Sequence, residues 1–331
     1  MPQTVVITGA SAGVGRATAR RFAVEGARIG LIARDPERLE ETAEEVRQLG
    51  GEALPCPADV ADAEAVASAA GAVEERFGPI DVWVNAAMAT IFGRFAEITP
   101  EEFRRATEVT YLGFVNGTRS ALARMQPRDR GTILQVGSAL AYRSIPLQSA
   151  YCGAKHAIVG FTDSLRSELI HGGSGIELVM VHLPGMNTPQ FEWSRNKTGE
   201  RPQPVPPIYQ PSVAAEAIHY AVEHPRRELW LGWATLKTIL GQRLAPGLLD
   251  RILADKAYDG QLTGVAERAR PDNLFKPVRG RFGARGRFND RARSGSSELW
   301  LVEHAGGLAA AGGVALGLLA GWALARQATR H

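Results

Sequence analysis

The sequence predicts an α/β fold: a doubly wound parallel sheet flanked by helices on both faces, followed by a hydrophobic helix near the carboxyl end. Three observations predict it. Short apolar runs alternate with longer stretches of helical periodicity as far as about residue 235, the pattern of strands joined by helical crossovers. A glycine-rich turn, "TGASAGVG", follows the first run and opens the first helical stretch. The last part of the chain is of another kind, an arginine- and glycine-rich stretch and then 21 residues without a charge, 305–325.

Taken in order, the strand-like runs are 4–8, 27–33, 53–56, 81–85, 132–136 and 177–183, with a short seventh at 228–231. The first three helical stretches between them are 16–25, 36–49 and 61–77. The 331 residues are 45% hydrophobic and 22% charged with a net charge of +3, an ordinary globular balance. Two cysteines, Cys56 and Cys152, give neither a disulfide framework nor a thiolate metal cluster and read as small buried residues in a reducing compartment. The seven histidines are scattered, so no metal site is expected. The chain opens directly on a strand rather than on a basic region and an apolar run, so the first domain is expected to stay in the cytoplasm.

In the first turn Gly9, Gly13 and Gly15 stand between a strand and a helix. Glycines there permit the tight bend and the close approach of a pyrophosphate, which rests on the positive end of the helix. A second motif, "YCGAKHA", sets Tyr151 and Lys155 four residues apart, on one face of a helix.

With both motifs in view the chain resembles the short-chain dehydrogenase/reductase family, over roughly residues 3–235. The resemblance rests also on "ADV" at 58–60, "VNAA" at 84–87, "VGS" at 136–138 and "LPG" at 183–185, in the family's order. It implies a Rossmann-type catalytic domain, 1–263, with a substrate lid at about 187–260. It also implies an alcohol–carbonyl interconversion with a nicotinamide dinucleotide. Gly9, Gly13 and Gly15 would shape the cofactor turn, with Ser11 and Val14 at the phosphates; Asp59 and Val60 would meet the adenine. Asn85 and Ala86 would steady the central strand and the cofactor loop, while Pro184, Gly185 and Thr188 would flank the nicotinamide. Ser138 would hold the reacting oxygen, Tyr151 would be acid and base, and Lys155 would assist it and bind the ribose.

Free tyrosine titrates near pH ~10, too high for a proton shuttle, and a neighbouring cation favours the phenolate. Lys155 supplies one such charge. Where the family usually carries an asparagine that holds a water on the lysine's proton path, this chain has Thr110, and a relay through its hydroxyl is expected. Asn116, six residues on, faces elsewhere. After the second strand, Ala33 leaves room and Arg34 offers a fork for a 2′-phosphate, which favours NADP(H). Asp35 keeps NAD(H) open, since a shift of its loop would bring a carboxylate to the ribose. A cofactor-binding scaffold or sensor is the reading from another class, suggested by Thr110 and the tail.

In the proline-rich lid, Phe191 and Trp193 either line an apolar substrate pocket or pack on the sheet edge. The apolar stripe of the two helices broken at Pro246 suits a core or a dimer surface, and a small-molecule, hydrophobic substrate and a homodimer are expected. Residues 264–298 read as a basic linker without the aromatic–basic repeat of a nucleic-acid binder. Within 299–331, the 21 uncharged residues reach ~31 Å as a helix, enough for a bilayer core. Small residues recur there at every fourth position from Ala305 to Ala325, which suits close helix packing. A tether to the cytoplasmic face of a membrane is the expectation, with an Ala/Gly helix on a partner as the alternative.

Overall fold

The computed structural model describes residues 2–304. Residues 2–295 form one compact unit, and 296–304 belong to a second. Seven parallel strands make the central sheet: β1 (Thr4–Thr8), β2 (Arg28–Ala33), β3 (Glu52–Pro57), β4 (Val82–Asn85), β5 (Gly131–Ser138), β6 (Ile176–Leu183) and β7 (Glu228–Trp230). Their order is β3-β2-β1-β4-β5-β6-β7, so the direction of winding reverses between β1 and β4. A crevice opens at such a switch point, beyond the carboxyl ends of the strands. The sequence-predicted strands all form; most boundaries move by a residue or two.

The inner strands are apolar without alternation because both faces are covered. Val5, Val6 and Ile7 of β1, Trp83 and Val84 of β4, and Val179 of β6 have no exposed surface. Helices α1 (Gly13–Ala23), α2 (Pro36–Gln48) and α3 (Ala63–Phe77) follow the first three strands. Asp35 caps α2 by accepting from the Arg38 amide at 3.1 Å, and Asp62 caps α3 by accepting from Glu64 and Ala65. A proline at the first position of α4 (Pro100–Thr107) and a reciprocal Thr99–Glu102 cap start that helix. One wide π turn, Glu108–Leu112, joins it to α5 (Gly113–Met125). Then come α6 (Ser149–His171), which carries the Tyr–Lys pair, and α7 (Pro211–Glu223), which packs on α1 through small side chains.

Two helices, α8 (Trp233–Leu244) and α9 (Pro246–Asp259), form a hairpin broken at Pro246, as its sequence predicts. Its apolar stripe divides: Thr235, Ile239 and Ala257 are buried, whereas Leu240, Leu244 and Leu248 are exposed.

The stretch 264–298 departs from the extended linker its composition predicts. Up to residue 295 it lies within the compact unit and ends in a two-residue strand, Ala292–Arg293, parallel to Ile208–Tyr209. Its apolar Leu274 and Phe288 are buried, and two of its arginines donate to the folded chain, Arg287 to the Pro202 carbonyl at 2.9 Å and Arg291 to Gln203 at 2.8 Å. Beyond it, residues 297–304 are helical, and Ser296 accepts from the Leu299 amide. The uncharged stretch 305–325 lies outside the described residues. Among the described residues no helix is long and apolar enough to cross a membrane.

Candidate active site

After β1 the chain turns at Gly9, whose φ of +71° favours glycine; a Cβ there would also lie 2.8 Å from the Ala87 Cα. At Gly15 a Cβ would run into the Gly9 carbonyl. The turn is tied to the loop after β4, because Thr8 Oγ1 accepts from the amides of Ala86 and Ala87 at 3.0 and 3.3 Å. A cleft of about 360 Å³ lies over this turn and runs along the carboxyl ends of the strands. Ser11, Val14, Asp59, Val60, Tyr151 and Lys155 are among the residues on its walls. A turn stripped of side chains, a helix amino end and an elongated cleft fit a dinucleotide.

At one end of the cleft the cations gather. Arg38, Arg105 and Asp59 lie around Arg34, and burial together with the two neighbouring guanidiniums pushes Arg34 below its ordinary pKa, while Asp59 opposes. Asp59 accepts from Arg105 and from the Ala61 amide, which fixes the loop after β3. Asn116 donates to the Val60 carbonyl at 2.9 Å, so it does face away from Thr110, as its helical phase predicts. Asp35 is paired with Arg38 at 2.8 Å in addition to capping α2. Its carboxylate is therefore committed within its own helix.

At the other end, Tyr151 and Ser138 line the same wall of the cleft. The Ser138 hydroxyl accepts from the Leu140 amide at 3.1 Å, which orients it. Lys155 lies on the same helix face as Tyr151, with Nζ 5.7 Å from the phenol ring centre. It differs from the simple expectation in what it touches: Nζ donates to the Val136 carbonyl at 2.7 Å and stands over the Phe114 ring at 4.5 Å. Burial pushes Lys155 down to about 7. Burial likewise pushes the Tyr151 phenol up, against the opposing pull of the Ser138 hydroxyl. In the chain on its own, desolvation outweighs the attraction that the sequence suggests between ammonium and phenolate.

Thr110 sits in the π turn, fully buried, and its hydroxyl donates to the Ala89 carbonyl at 2.8 Å and accepts from the Ala89 amide at 2.9 Å. Its one proton is thus committed to the loop after β4, which leaves it no second proton to pass to a water. Asn85 is buried beneath the cleft rather than on its wall. It donates to Thr118 and Gln135 and accepts from the Trp83 indole at 2.8 Å, joining β4, α5 and β5. Pro184, Gly185 and Thr188 line the cleft opposite the glycine turn; a Cβ on Gly13 would stand 3.3 Å from the Thr188 methyl.

The profile of the short chain dehydrogenase family matches residues 3–199, which include the glycine turn, Ser138, Tyr151, Lys155 and Pro184–Gly185. The chain belongs to the short-chain dehydrogenase family. It is accordingly an oxidoreductase of that family, whose members bind NAD(P) and act on small molecules, and the scaffold reading gives way to it. It is 34% identical over 261 residues to the uncharacterized oxidoreductase YxnA of Bacillus subtilis, covering 78% of this chain and 73% of that one. It is 35% identical over 233 residues to the probable oxidoreductase EphD of Mycobacterium tuberculosis, covering 66% of this chain but only 39% of that longer protein. An alcohol dehydrogenase from Thermococcus sibiricus, solved with 5-hydroxy-NADP, superposes with a TM-score of 0.58 at 30% identity. The match covers 70% of this short-chain dehydrogenase and 96% of that structure.

Three features of the site escape the sequence reading. Trp193 belongs to the cation-rich end, 4.8 Å from the Arg38 guanidinium and 4.7 Å from the Phe282 ring, while Phe191 joins a small buried cluster with Phe92 and Phe288. Both residues line the cleft, yet each packs against a ring from 282–288, Phe282 or Phe288, which no local pattern announces. Arg38 is also on the cleft wall, and its position three residues after Asp35 in the first turn of α2 is the signal that would have found it. Behind Ser138, buried His182 approaches the serine carbonyl with Nδ1 at 3.3 Å and Glu228 with Nε2 at 3.4 Å. Glu228 also accepts from Tyr142 at 2.6 Å and from the Trp230 indole at 2.9 Å; burial pushes its carboxyl up, but these bonds prevail and hold it at about 2.

Proposed function

We propose that the chain interconverts an alcohol and a carbonyl compound with NADP(H), with Tyr151 as the proton donor and acceptor. The observation that carries the proposal is the placing of Tyr151 and Ser138 together on the wall of a cleft whose other end is a glycine turn. A bound nicotinamide dinucleotide supplies or accepts the hydride. Ser138, oriented by the Leu140 amide, holds the substrate oxygen beside the phenol. Tyr151 gives its proton to that oxygen in reduction and takes it back in oxidation. Lys155, held near the neutral range by burial, gains its full charge when a polar ligand fills the cleft, and that charge then favours the phenolate. Thr110 is assigned a positioning part, fixing Ala89 beside the turn, in place of a relay.

Preference for NADP(H) is supported by the cation cluster of Arg34, Arg38 and Arg105, and by Asp35 being tied to Arg38. A doubly charged 2′-phosphate suits those guanidiniums, whereas NAD(H) would need a carboxylate free to meet the ribose. The Thermococcus alcohol dehydrogenase, complexed with an NADP derivative, points the same way. An apolar small molecule is the substrate class in this reading, because Ile145, Met186, Phe191, Val205 and Leu253 line the remainder of the cleft. A homodimer and a tether through 305–325 complete the proposal; the tether rests on that stretch's length and lack of charge.

The deciding experiment is a panel of ketones, aldehydes and alcohols followed by nicotinamide absorbance. Turnover with NADPH that disappears in Tyr151→Phe, while NADPH still binds, is the expected result. Full activity in that variant defeats the assignment.

A further inference from the structure

Residues 272–293 run across the mouth of the cleft's cation-rich half, and nothing in the proposed proton chemistry requires them there. Their contacts reach each element that a dinucleotide's adenosine and phosphates would meet. Arg34 donates to the carbonyls of Asn273 and Leu274, and Arg105 Nε donates to the Leu274 carbonyl at 3.2 Å. The Phe282 ring stands over Arg38 at 5.7 Å and packs on Trp193, and its carbonyl accepts from Arg16 at 3.2 Å. The Gly283 carbonyl accepts from the Gly13 amide at 3.2 Å, on the glycine turn itself. Beyond, the Phe288 amide donates to Asn187 Oδ1 at 2.9 Å, and Ala292–Arg293 is stitched beside Ile208–Tyr209. The strap roofs the cleft without filling it, since the space of about 360 Å³ remains open beneath, with Asn273 and Pro277 on its wall.

We infer that this strap is a retaining clasp: Asn273, Phe282 and Gly283 are positioning residues of the dinucleotide site, and bound dinucleotide leaves only when the strap lifts. The inference rests on the reading that a dinucleotide occupies this cleft. The strap is anchored at both ends, by buried Leu274 on one side and by the Asn187 and Ile208–Tyr209 contacts on the other. Between them the contacts over the cleft are carbonyls on Arg16 and on the Gly13 amide together with the Phe282 ring, so the middle can lift without disturbing the sheet. While closed it holds Arg34 and Arg38 by the oxygens and the ring that face them. A plug would be built differently, with a side chain in the groove over Ser11 and Val14.

The test follows NADPH release by its fluorescence in wild type, Phe282→Ala and Gly286→Val. Phe282→Ala removes the ring packed on Trp193. Gly286→Val lifts the strap from its far end, because a Cβ there would stand 2.5 Å from the Thr188 carbonyl. Both variants are expected to release NADPH about tenfold faster and to lose affinity in the same proportion, an effect carried by the dissociation rate. Release within about twofold of wild type in both folded variants overturns the clasp, and so does tighter binding, which would make the strap a plug. Amide hydrogen exchange of the wild-type chain decides the matter if neither variant folds. Amides of 272–293 should exchange more slowly with saturating NADPH, and unchanged exchange overturns the inference. Wild-type protein that binds neither NADPH nor NADH is a distinct outcome, since it removes the dinucleotide reading before the strap is judged.

Discussion

Lys155→Met is expected to make the ligand-free protein more stable while abolishing its activity. The lysine is buried, and burial moves its amine from 10.5 to about 7. At about 1.4 kcal/mol per unit, that displacement bounds the cost of the buried charge at roughly 5 kcal/mol. Methionine fills similar space without a charge, but it leaves the Val136 carbonyl without its donor, at about 1–2 kcal/mol. It also removes the ammonium from the Phe114 ring, at about 1 kcal/mol. A net gain of about 2 kcal/mol remains at pH 6.5. The sign depends on pH. Below about 7 both folded and unfolded wild type carry the proton and the whole penalty is present. Between about 7 and 10.5 the unfolded chain binds a proton that the folded chain does not, so wild type gains up to about 1.4 kcal/mol per pH unit on the variant. Urea unfolding of both proteins at half-unit steps from pH 6.5 to 9.5 should show the variant's advantage shrinking to nothing near pH ~8.5 and then reversing. A difference that stays constant across that range would refute the reasoning, because it would mean the lysine's charge is not what burial opposes.

Tyr151→Phe should lower turnover by about 10²–10⁴-fold with little change in NADPH affinity, as titration and initial rates would show. Arg34→Asp should weaken NADPH far more than NADH, by about tenfold or more in the ratio of dissociation constants; parallel losses would remove the cofactor assignment. Gly9→Ala, forced to φ +71° and against the Ala87 backbone, should cost about 1–3 kcal/mol and much of the dinucleotide affinity, read by melting and by titration. Glu228→Gln should destabilise the chain by up to about 3 kcal/mol near neutral pH. The carboxyl's folded pKa is lowered to about 2, so its stabilisation is complete above about 4.5 and lost toward 2, and unfolding at pH 6 and 3.5 should show the gap narrowing. If 305–325 is a tether, full-length chain will pellet with membranes and residues 1–298 will not; equal solubility refutes it.

The inner strands were legible because each is a run of buried apolar residues, as expected of strands covered on both faces; the edge strands β3 and β7 are only partly buried and were read from their place in the alternation. The glycine turn and the pair on α6 were legible for a related reason, since backbone contact and helical spacing are local. What local pattern could not supply was the electrostatics around Lys155. Spacing brought the ammonium to the right helix face, but its hydrogen bond to Val136 and its depressed pKa come from β5 and α5, remote in sequence. Thr110 illustrates the same limit, for its hydroxyl partner, Ala89, lies 21 residues earlier. Residues 264–298 misled because arginine and glycine usually mean solvation, whereas here buried Leu274 and Phe288 anchor the stretch and Gly286 lets its backbone approach Thr188.

Arg16 reaches Phe282 across 266 positions of sequence, and Arg34 reaches Leu274 across 240. A ribosome must therefore synthesise almost all of the catalytic unit before the nucleotide crevice acquires its last wall. Strand pairing can begin earlier, as β2 registers on β1 and β3 on β2, but ligand-assisted stabilisation of a nascent chain has to wait. Expression of the family-matched segment by itself, stopping at residue 199 where the profile ends, would yield a sheet whose crevice is missing one side.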